Sequence, residues 1–331
     1  MERSAQPAVA IVGPTASGKS SLAIEVAKRY NGEIINCDSV QVYRGFVIGA
    51  AKVTSDQQQG VPQHLLDIAG PADDFTAGDY ARAARNALED ISSRRKLPIV
   101  AGGTGFYLKA LLEGLSPAPL RDEPLRDRLR RISIRRPAAL HRVLRHIDIA
   151  AAARIHPNDH QKLIRAVEMA ITTRKSVTAV QTEPRDALRG YRILKIGLAP
   201  PRAALHASVN GRTARMFASG LLEETRQLLA AGYSPESKPM QSLGYQQALR
   251  VIAGGASESQ AIEECQAKTR QYVKRQMTWF RKGKDIHWME GFGTDRHLQS
   301  KTFSLVSDFL RSFFDTDFDG SSSEQAANNA C

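Results

Sequence analysis

Residues 11–21, IVGPTASGKSS, set Gly13 and Gly18 five positions apart and follow them at once with Lys19 and Ser20. This spacing constrains the fold more than any other stretch. An apolar run, Ala8–Val12, leads into it, and a helical pattern (Leu22, Ile24, Val26, Ala27) leads out. A strand, a glycine-rich turn and a helix in that order make a phosphate-binding loop. Glycines let the backbone wrap an anion without Cβ clashes, so that successive N–H groups of the turn can point inward. The helix N-terminus adds its positive end, Lys19 a mobile charge, and Ser20 a hydroxyl suited to Mg²⁺. The chain is expected to bind a phosphate or diphosphate together with Mg²⁺.

Short apolar runs alternate with helical patterns. Candidate strands are Ala8–Val12, Glu33–Cys37, His64–Ile68, Pro98–Ala101 and Arg192–Leu198; candidate helices are Ser20–Tyr30, Ala77–Arg94 and Phe106–Leu112. Such alternation predicts an α/β fold, a P-loop NTPase-like parallel sheet flanked by helices. From Pro119 to about Arg189 the spacing is helical (Leu125, Leu129, Ile132; Leu140, Val143, Leu144, Ile147), which reads as an all-helical insertion domain. The expected division is a first core part at 1–118, the insertion at 119–190, a second core part at 191–290 and an extension at 291–331. Past residue 315 the composition turns to Asp, Ser, Asn and Ala, and that tail is expected to be disordered.

The net charge of +12 is concentrated. Pro119–Arg165 carries twelve Lys/Arg against five Asp/Glu, and Lys268–Lys284 carries seven Lys/Arg and no acid. Two basic blocks on an otherwise slightly acidic chain suit a groove for a polyanion. No apolar run approaches a membrane span. Three cysteines (Cys37, Cys265, Cys331), widely spaced and odd in number, fit neither a disulfide framework nor a zinc cluster and suit a reducing cytoplasm. Nothing reads as a dimer seam, so a monomer is expected.

Other stretches carry chemistry beside the loop. Asp38-Ser39-Val40-Gln41-Val42-Tyr43 follows a strand, on the sheet edge where ligands bind in open α/β folds. A carboxylate there can bind Mg²⁺ through water or act as a general base. Gly102-Gly103-Thr104-Gly105 follows another strand and allows close backbone approach, with the Thr104 hydroxyl within reach of a ligand. Val61–Asp67 can be read as a Walker-B-like strand ending in Asp67, or as an ordinary strand with an acidic cap. In His156–Arg165, Asn158 or Asp159 can cap a helix that carries Gln161, Lys162 and Arg165 on neighbouring faces, an amide and two cations for a phosphate backbone. His156 and His160 have metal-like spacing without an acidic or thiol partner, and a structural role is favoured. Thr269–Arg281 interleaves cations with aromatics, as single-stranded RNA requires; Trp279 and Phe280 themselves read as core.

Together GPTASGKS, the DSxQxY stretch, GGTGxY, HPND with its basic helix, SLGYQ at Ser242–Gln246 and TRQYxKRQxTWFR resemble, in order, the tRNA dimethylallyltransferases (tRNA isopentenyltransferases). The resemblance runs from about Ile11 to Glu290, and the lack of a C-terminal zinc finger matches the bacterial form. It implies transfer of a dimethylallyl group from dimethylallyl diphosphate to N6 of the adenosine 3′-adjacent to the anticodon, in tRNAs reading codons that begin with U. It implies that Asp38 is the catalytic base and Thr104 a second catalytic-site residue. The loop residues Gly13, Pro14, Thr15, Ala16, Ser17, Gly18, Lys19 and Ser20, with Arg212, are implied to hold the diphosphate, with Mg²⁺ on Ser20. Contacts with the tRNA anticodon stem-loop fall to Asp38, Ser39, Val40, Gln41, Thr104, Arg126, Gln161, Lys162, Leu163, Ile164 and Arg165. Two departures stand out. Lys162 occupies a position where the family commonly has Arg, and Leu205–Met216 is looser than the family's LYxRIxxRVxxM.

Two other functions use the same loop. A small-metabolite kinase would bind ATP there and close an Arg-rich lid, but it has no need of two basic blocks. An RNA-binding NTPase switch would carry further motifs; no NKxD-type guanine signature and no helicase set accompanies the loop.

Overall fold

The computed structural model describes residues 5–117, 119, 121–283 and 285–319. In chain order the elements are β1 (Gln6–Val12), α1 (Lys19–Arg29), β2 (Gly32–Asn36), α2 (Ser55–Gln58), β3 (Gln63–His64), α3 (Ala77–Ser93), β4 (Leu97–Gly102) and α4 (Gly105–Glu113). They continue with α5 (Glu123–Arg135), α6 (Ala139–Ile147), α7 (Ile149–Arg154), α8 (His160–Thr173) and α9 (Val177–Thr182). The last are β5 (Tyr191–Leu198), α10 (Arg202–Ala218), α11 (Leu221–Ala230), α12 (Tyr245–Ile252), α13 (Glu258–Phe280), β6 (Ile286–Met289) and α14 (Arg296–Asp319). The chain divides into two compact units, one of residues 1–111 with 189–331 and one of residues 112–188.

In the first unit six strands form one sheet in the order β3-β2-β4-β1-β5-β6, and every pairing is parallel. Parallel strands need helical crossovers, so both faces are covered and the central strands read as unbroken apolar runs. Ala8, Val9, Ala10 and Ile11 of β1 are all fully buried. Val9, Ile11, Ile34, Ile99 and Ile196 join one core with Leu22 and Val26 of α1 and Leu298 and Val306 of α14, while α3 packs on β2 and β4. A second core gathers Tyr43, Phe46, Leu221, Tyr233, Met240 and Tyr245. Phe46 meets the rings of Tyr233 and Tyr245 edge-on at 4.9 and 4.8 Å.

The second unit is built from α5 to α9. Their apolar faces (Leu129, Leu140, Leu144, Leu163, Val167, Val177, Val180) enclose a separate core. Its two ends meet: the Leu188 N–H donates to Leu112 O at 3.0 Å.

Several expectations need correcting. The strand expected at His64–Ile68 ends at His64, because Leu65 and Asp67 adopt left-handed φ angles of 62° and 55° that leave the ladder. Asp67 takes Lys52 Nζ at 2.6 Å, so its carboxylate serves a local ion pair instead of a Walker-B-like position. β6 pairs with β5 in a stretch that showed no strand signal. α14 reaches Asp319, so the first residues of the expected disordered tail are helical; residues 320–331 lie outside the described residues. Among the described residues no helix is long and apolar enough to cross a membrane.

Candidate active site

β1 lies centrally, with β4 on one side and β5 on the other. The chain reverses its direction of sheet growth about β1, and the crevice outside the strand ends at such a point is where α/β folds bind ligands. Three loops converge there, after β1, β2 and β4.

The loop after β1 wraps into α1 through Gly18, whose φ of +84° suits glycine. It is braced from behind: Gly293 N donates to Ser17 O at 2.9 Å, and a Cβ on Gly293 would lie 2.2 Å from Gly18 O. Ser17 Oγ is buried and donates to Pro14 O at 2.8 Å; Lys19 Nζ donates to the same carbonyl at 2.6 Å. Enclosure lowers the Lys19 ammonium to about 7, the Arg212 guanidinium pushes the same way, and Asp38 opposes both. Burial likewise lowers Arg212, again opposed by Asp38. Two cations pressed together with one carboxylate form an electropositive cradle for an anion.

Asp38 closes a local turn: its Oδ1 accepts Val40 N at 2.8 Å and Gln41 N at 3.3 Å. Among the described residues Oδ2 takes no hydrogen bond. Thr104 Oγ1 accepts from Ser39 N at 3.1 Å, and Thr104 N donates to Cys37 O, so the loops after β2 and β4 are joined at this hydroxyl. The Gln41 amide donates to Ala50 O at 3.1 Å, which shapes the loop that lies against it. Burial pushes the adjacent Cys37 thiol up to about 12, so no thiolate competes as a nucleophile.

A cavity of about 390 Å³ opens beside these loops; Lys19, Gln41 and Thr104 are not among its lining residues. Thr15, Asp38, Ser39, Arg212 and Arg275 give its polar lining, and Val40, Val209, Met216 and Leu243 give an apolar wall. Tyr245 of the SLGYQ stretch supports that wall from outside. Its hydroxyl donates to the buried Glu224 carboxylate, which also accepts Ile48 N at 2.7 Å and Gly49 N at 3.2 Å. α10 carries Arg212 to the cavity beside Val209 and Thr213, which line it too, at the margin of the stripe that Leu205, Val209, Thr213 and Phe217 bury. Ser208, in the looser Leu205–Met216 stretch, donates to Ala16 O at 3.1 Å and ties α10 to the phosphate loop.

Ser20 does not line this cavity. It is exposed in the first turn of α1, beside a separate recess shared with Ser21, Glu25 and Thr294. Its hydroxyl takes no partner among the described residues.

Sequence reasoning passed over Gln276. Its Oε1 accepts Thr15 N at 2.9 Å and its Nε2 donates to Gly103 O at 2.9 Å, a buried bridge between the phosphate loop and the glycine-rich turn. The signal was present: Val273, Gln276 and Phe280 share the buried stripe of α13, and a polar residue on an apolar stripe needs partners. Phe280 is core as expected. Trp279 is not; it is 42 % exposed, with its ring edge against Phe106.

The remaining expected contacts lie in the second unit. Asp159, not Asn158, caps α8, accepting Lys162 N, and also pairs with Lys162 Nζ. Gln161 and Lys162 are exposed and Arg165 half-buried, but Leu163 and Ile164 belong to the unit's core, because the helical period turns them inward. Glu168 is fully buried. Its Oε2 accepts Arg126 Nη1 at 3.0 Å and Arg165 Nη1 at 2.8 Å, and its Oε1 accepts Asp122 N at 2.9 Å. One carboxylate thus fixes two of the expected phosphate-binding cations. His160 Nδ1 lies 2.6 Å from Ser133 Oγ, and His156 Nδ1 accepts Asn158 N.

Fold and site together define a P-loop NTPase-like α/β protein whose glycine-rich loop borders a partly apolar chamber. The IPP transferase family model matches residues 41–283, and the chain belongs to that family. A tRNA dimethylallyltransferase from Solibacter usitatus is 49 % identical over 304 residues, covering 92 % of this chain and 99 % of the relative. One from Koribacter versatilis is 50 % identical over 297 residues, covering 89 % and 96 %. The crystal structure of the full-length tRNA isopentenylpyrophosphate transferase from Bacillus halodurans superposes with a TM-score of 0.70 at 34 % identity, covering 95 % of this chain and 99 % of that one. A eukaryotic dimethylallyltransferase acting on tRNA gives 0.79 at 27 % identity, covering 93 % and 80 %.

Proposed function

We propose that this chain transfers the dimethylallyl group of dimethylallyl diphosphate to N6 of the adenosine 3′-adjacent to the anticodon, in tRNAs that read codons beginning with U. The observation that carries this is the single cavity in which phosphate-loop residues, Arg212 and Asp38 face an apolar wall of Val40, Val209, Met216 and Leu243. A kinase needs the first half of that chamber; a prenyl donor needs both.

The loop N–H groups, Lys19 and Arg212 hold the diphosphate and stabilise the charge that grows on it as the allylic C–O bond breaks. The adenine amine forms the new C–N bond, and Asp38 takes the N6 proton on Oδ2. Thr104 and Ser39 fix the turn that carries Asp38. The target base must leave its stack to enter the chamber. Ser17 is committed to Pro14, whereas the unpartnered Ser20 hydroxyl offers a hard oxygen that, with substrate phosphates, would suit Mg²⁺. When bound, the ion supplies further neutralisation of the leaving diphosphate. Arg126, Lys162 and Arg165 serve the phosphate backbone of the anticodon stem-loop. We further take the enzyme to act in the cytoplasm and as a monomer.

The test is to incubate the protein with Mg²⁺, dimethylallyl diphosphate and unmodified tRNA of a UUU-decoding type, then weigh the nucleosides. An adenosine heavier by one C5H8 unit is expected. Unchanged adenosine, with ATP consumed on a small metabolite, would overturn the reading in favour of a kinase.

A further inference from the structure

The exposed large hydrophobics among the described residues include two aromatics, Phe106 at 50 % and Trp279 at 42 %, and these two touch each other. Isolated exposed apolar groups are ordinary; a built pair of large rings in water calls for a partner. The pair is fixed. Trp279, next to last in α13, lies over the start of α4, where a Cβ on Gly105 would come within 2.2 Å of the indole Cδ1. The ring centroids are 6.4 Å apart at 89°, so one ring forms a floor and the other a wall.

Their place on the chain relates them to the site. Phe106 is two residues beyond Thr104, which holds the turn of Asp38. Trp279 is one helical turn beyond Arg275, which lines the cavity. Around them Lys274, Arg275, Arg281 and Lys282 are exposed, in a run that contains no acid. A rigid aromatic step among exposed cations matches the chemistry of an unstacked nucleobase and its phosphate.

We propose that Phe106 and Trp279 form a stacking platform for a base of the RNA that neighbours the target adenosine. Removing that adenosine from its stack uncovers the faces of its neighbours, and the platform replaces the lost stacking. This inference rests on the tRNA-prenylating function and adds substrate-contact residues to it.

The test uses the full chain, dimethylallyl diphosphate and an anticodon stem-loop RNA. Trp279→Ala is expected to raise KM for the RNA about tenfold, the loss of one base–aromatic stack, while KM for dimethylallyl diphosphate stays within about twofold. Trp279→Phe restores most of the affinity. RNA is expected to quench the tryptophan fluorescence of the unaltered chain, and the quench to disappear in Trp279→Phe, where Trp288 remains. Three results would overturn the platform: an unchanged KM for RNA in Trp279→Ala, a parallel rise in both KM values, which would mark Trp279 as mere support for the Thr104 turn, or no quench in the unaltered chain. Failure of the unaltered chain to prenylate any RNA would instead overturn the function, and the quench would still report on stacking.

Discussion

Lys19 is held at about 7 by enclosure and by Arg212, so above neutrality the free protein carries it largely uncharged. A bound diphosphate favours the ammonium and raises its pKa, so binding takes up a proton in the window between the free and bound values. At about pH 8 uptake should approach one proton per site, and at about pH 6 it should nearly vanish. Titration calorimetry of dimethylallyl diphosphate in buffers of different ionisation enthalpy measures this, and equal uptake at both pH values, or unchanged uptake in Lys19→Met, would dismiss it. Asp38 permits a cleaner substitution. Asn keeps an oxygen for the Val40 and Gln41 N–H groups but cannot take the proton. Asp38→Asn should therefore lower kcat by roughly 10²- to 10⁴-fold with little change in RNA affinity; rapid-quench turnover beside filter binding separates the two. At this scale sequence picked out the loops that converge and missed the residue that joins them. Gln276 bridges positions 261 and 173 residues away, and no local spacing encodes which loops a buried amide will meet.

The central elements were readable because strands covered on both faces must be apolar throughout, and β1, β2, β4 and β5 lie close to their expected limits. The edges were not. β6 is four residues long and only partly buried, so it lacks both an unbroken apolar run and a clean alternation. The segment after it had no motif, yet its Gly293 packs against the back of the phosphate loop. Gly293 has no left-handed φ, so Ala there tests contact alone. Its Cβ, 2.2 Å from Gly18 O, would force the loop and the brace apart. Gly293→Ala should cost about 1–3 kcal/mol of stability and raise KM for dimethylallyl diphosphate while sparing the KM for tRNA. Thermal unfolding and steady-state kinetics check it; a variant as stable and as tight for the diphosphate as the original would show that the brace is incidental.

The charge of the whole molecule divides between its two units. One basic block lies in residues 119–165 and the other in 268–284, so each unit carries its own claim on a polyanion, and the proposed diphosphate site lies in the first unit. The second unit closes on itself through Leu188 and Leu112 and owns its core, so changes on its surface should leave prenyl-donor binding alone. Each Lys or Arg that neutralises a phosphate contributes roughly −0.7 to −0.9 to the slope of log K against log salt. Replacing Lys162 and Arg165 together with Gln should therefore flatten that slope by about 1.4–1.8 for tRNA and leave KM for dimethylallyl diphosphate unchanged. Glu168→Gln provides the contrasting case. It retains Arg126 and Arg165 but removes the buried carboxylate that fixes both, so affinity should fall while the slope, which counts charges, holds or steepens. A parallel loss of slope in both variants would mean that Glu168 maintains the fold of the unit and does not aim its arginines; circular dichroism of Glu168→Gln, native under the aiming role, would expose that case directly.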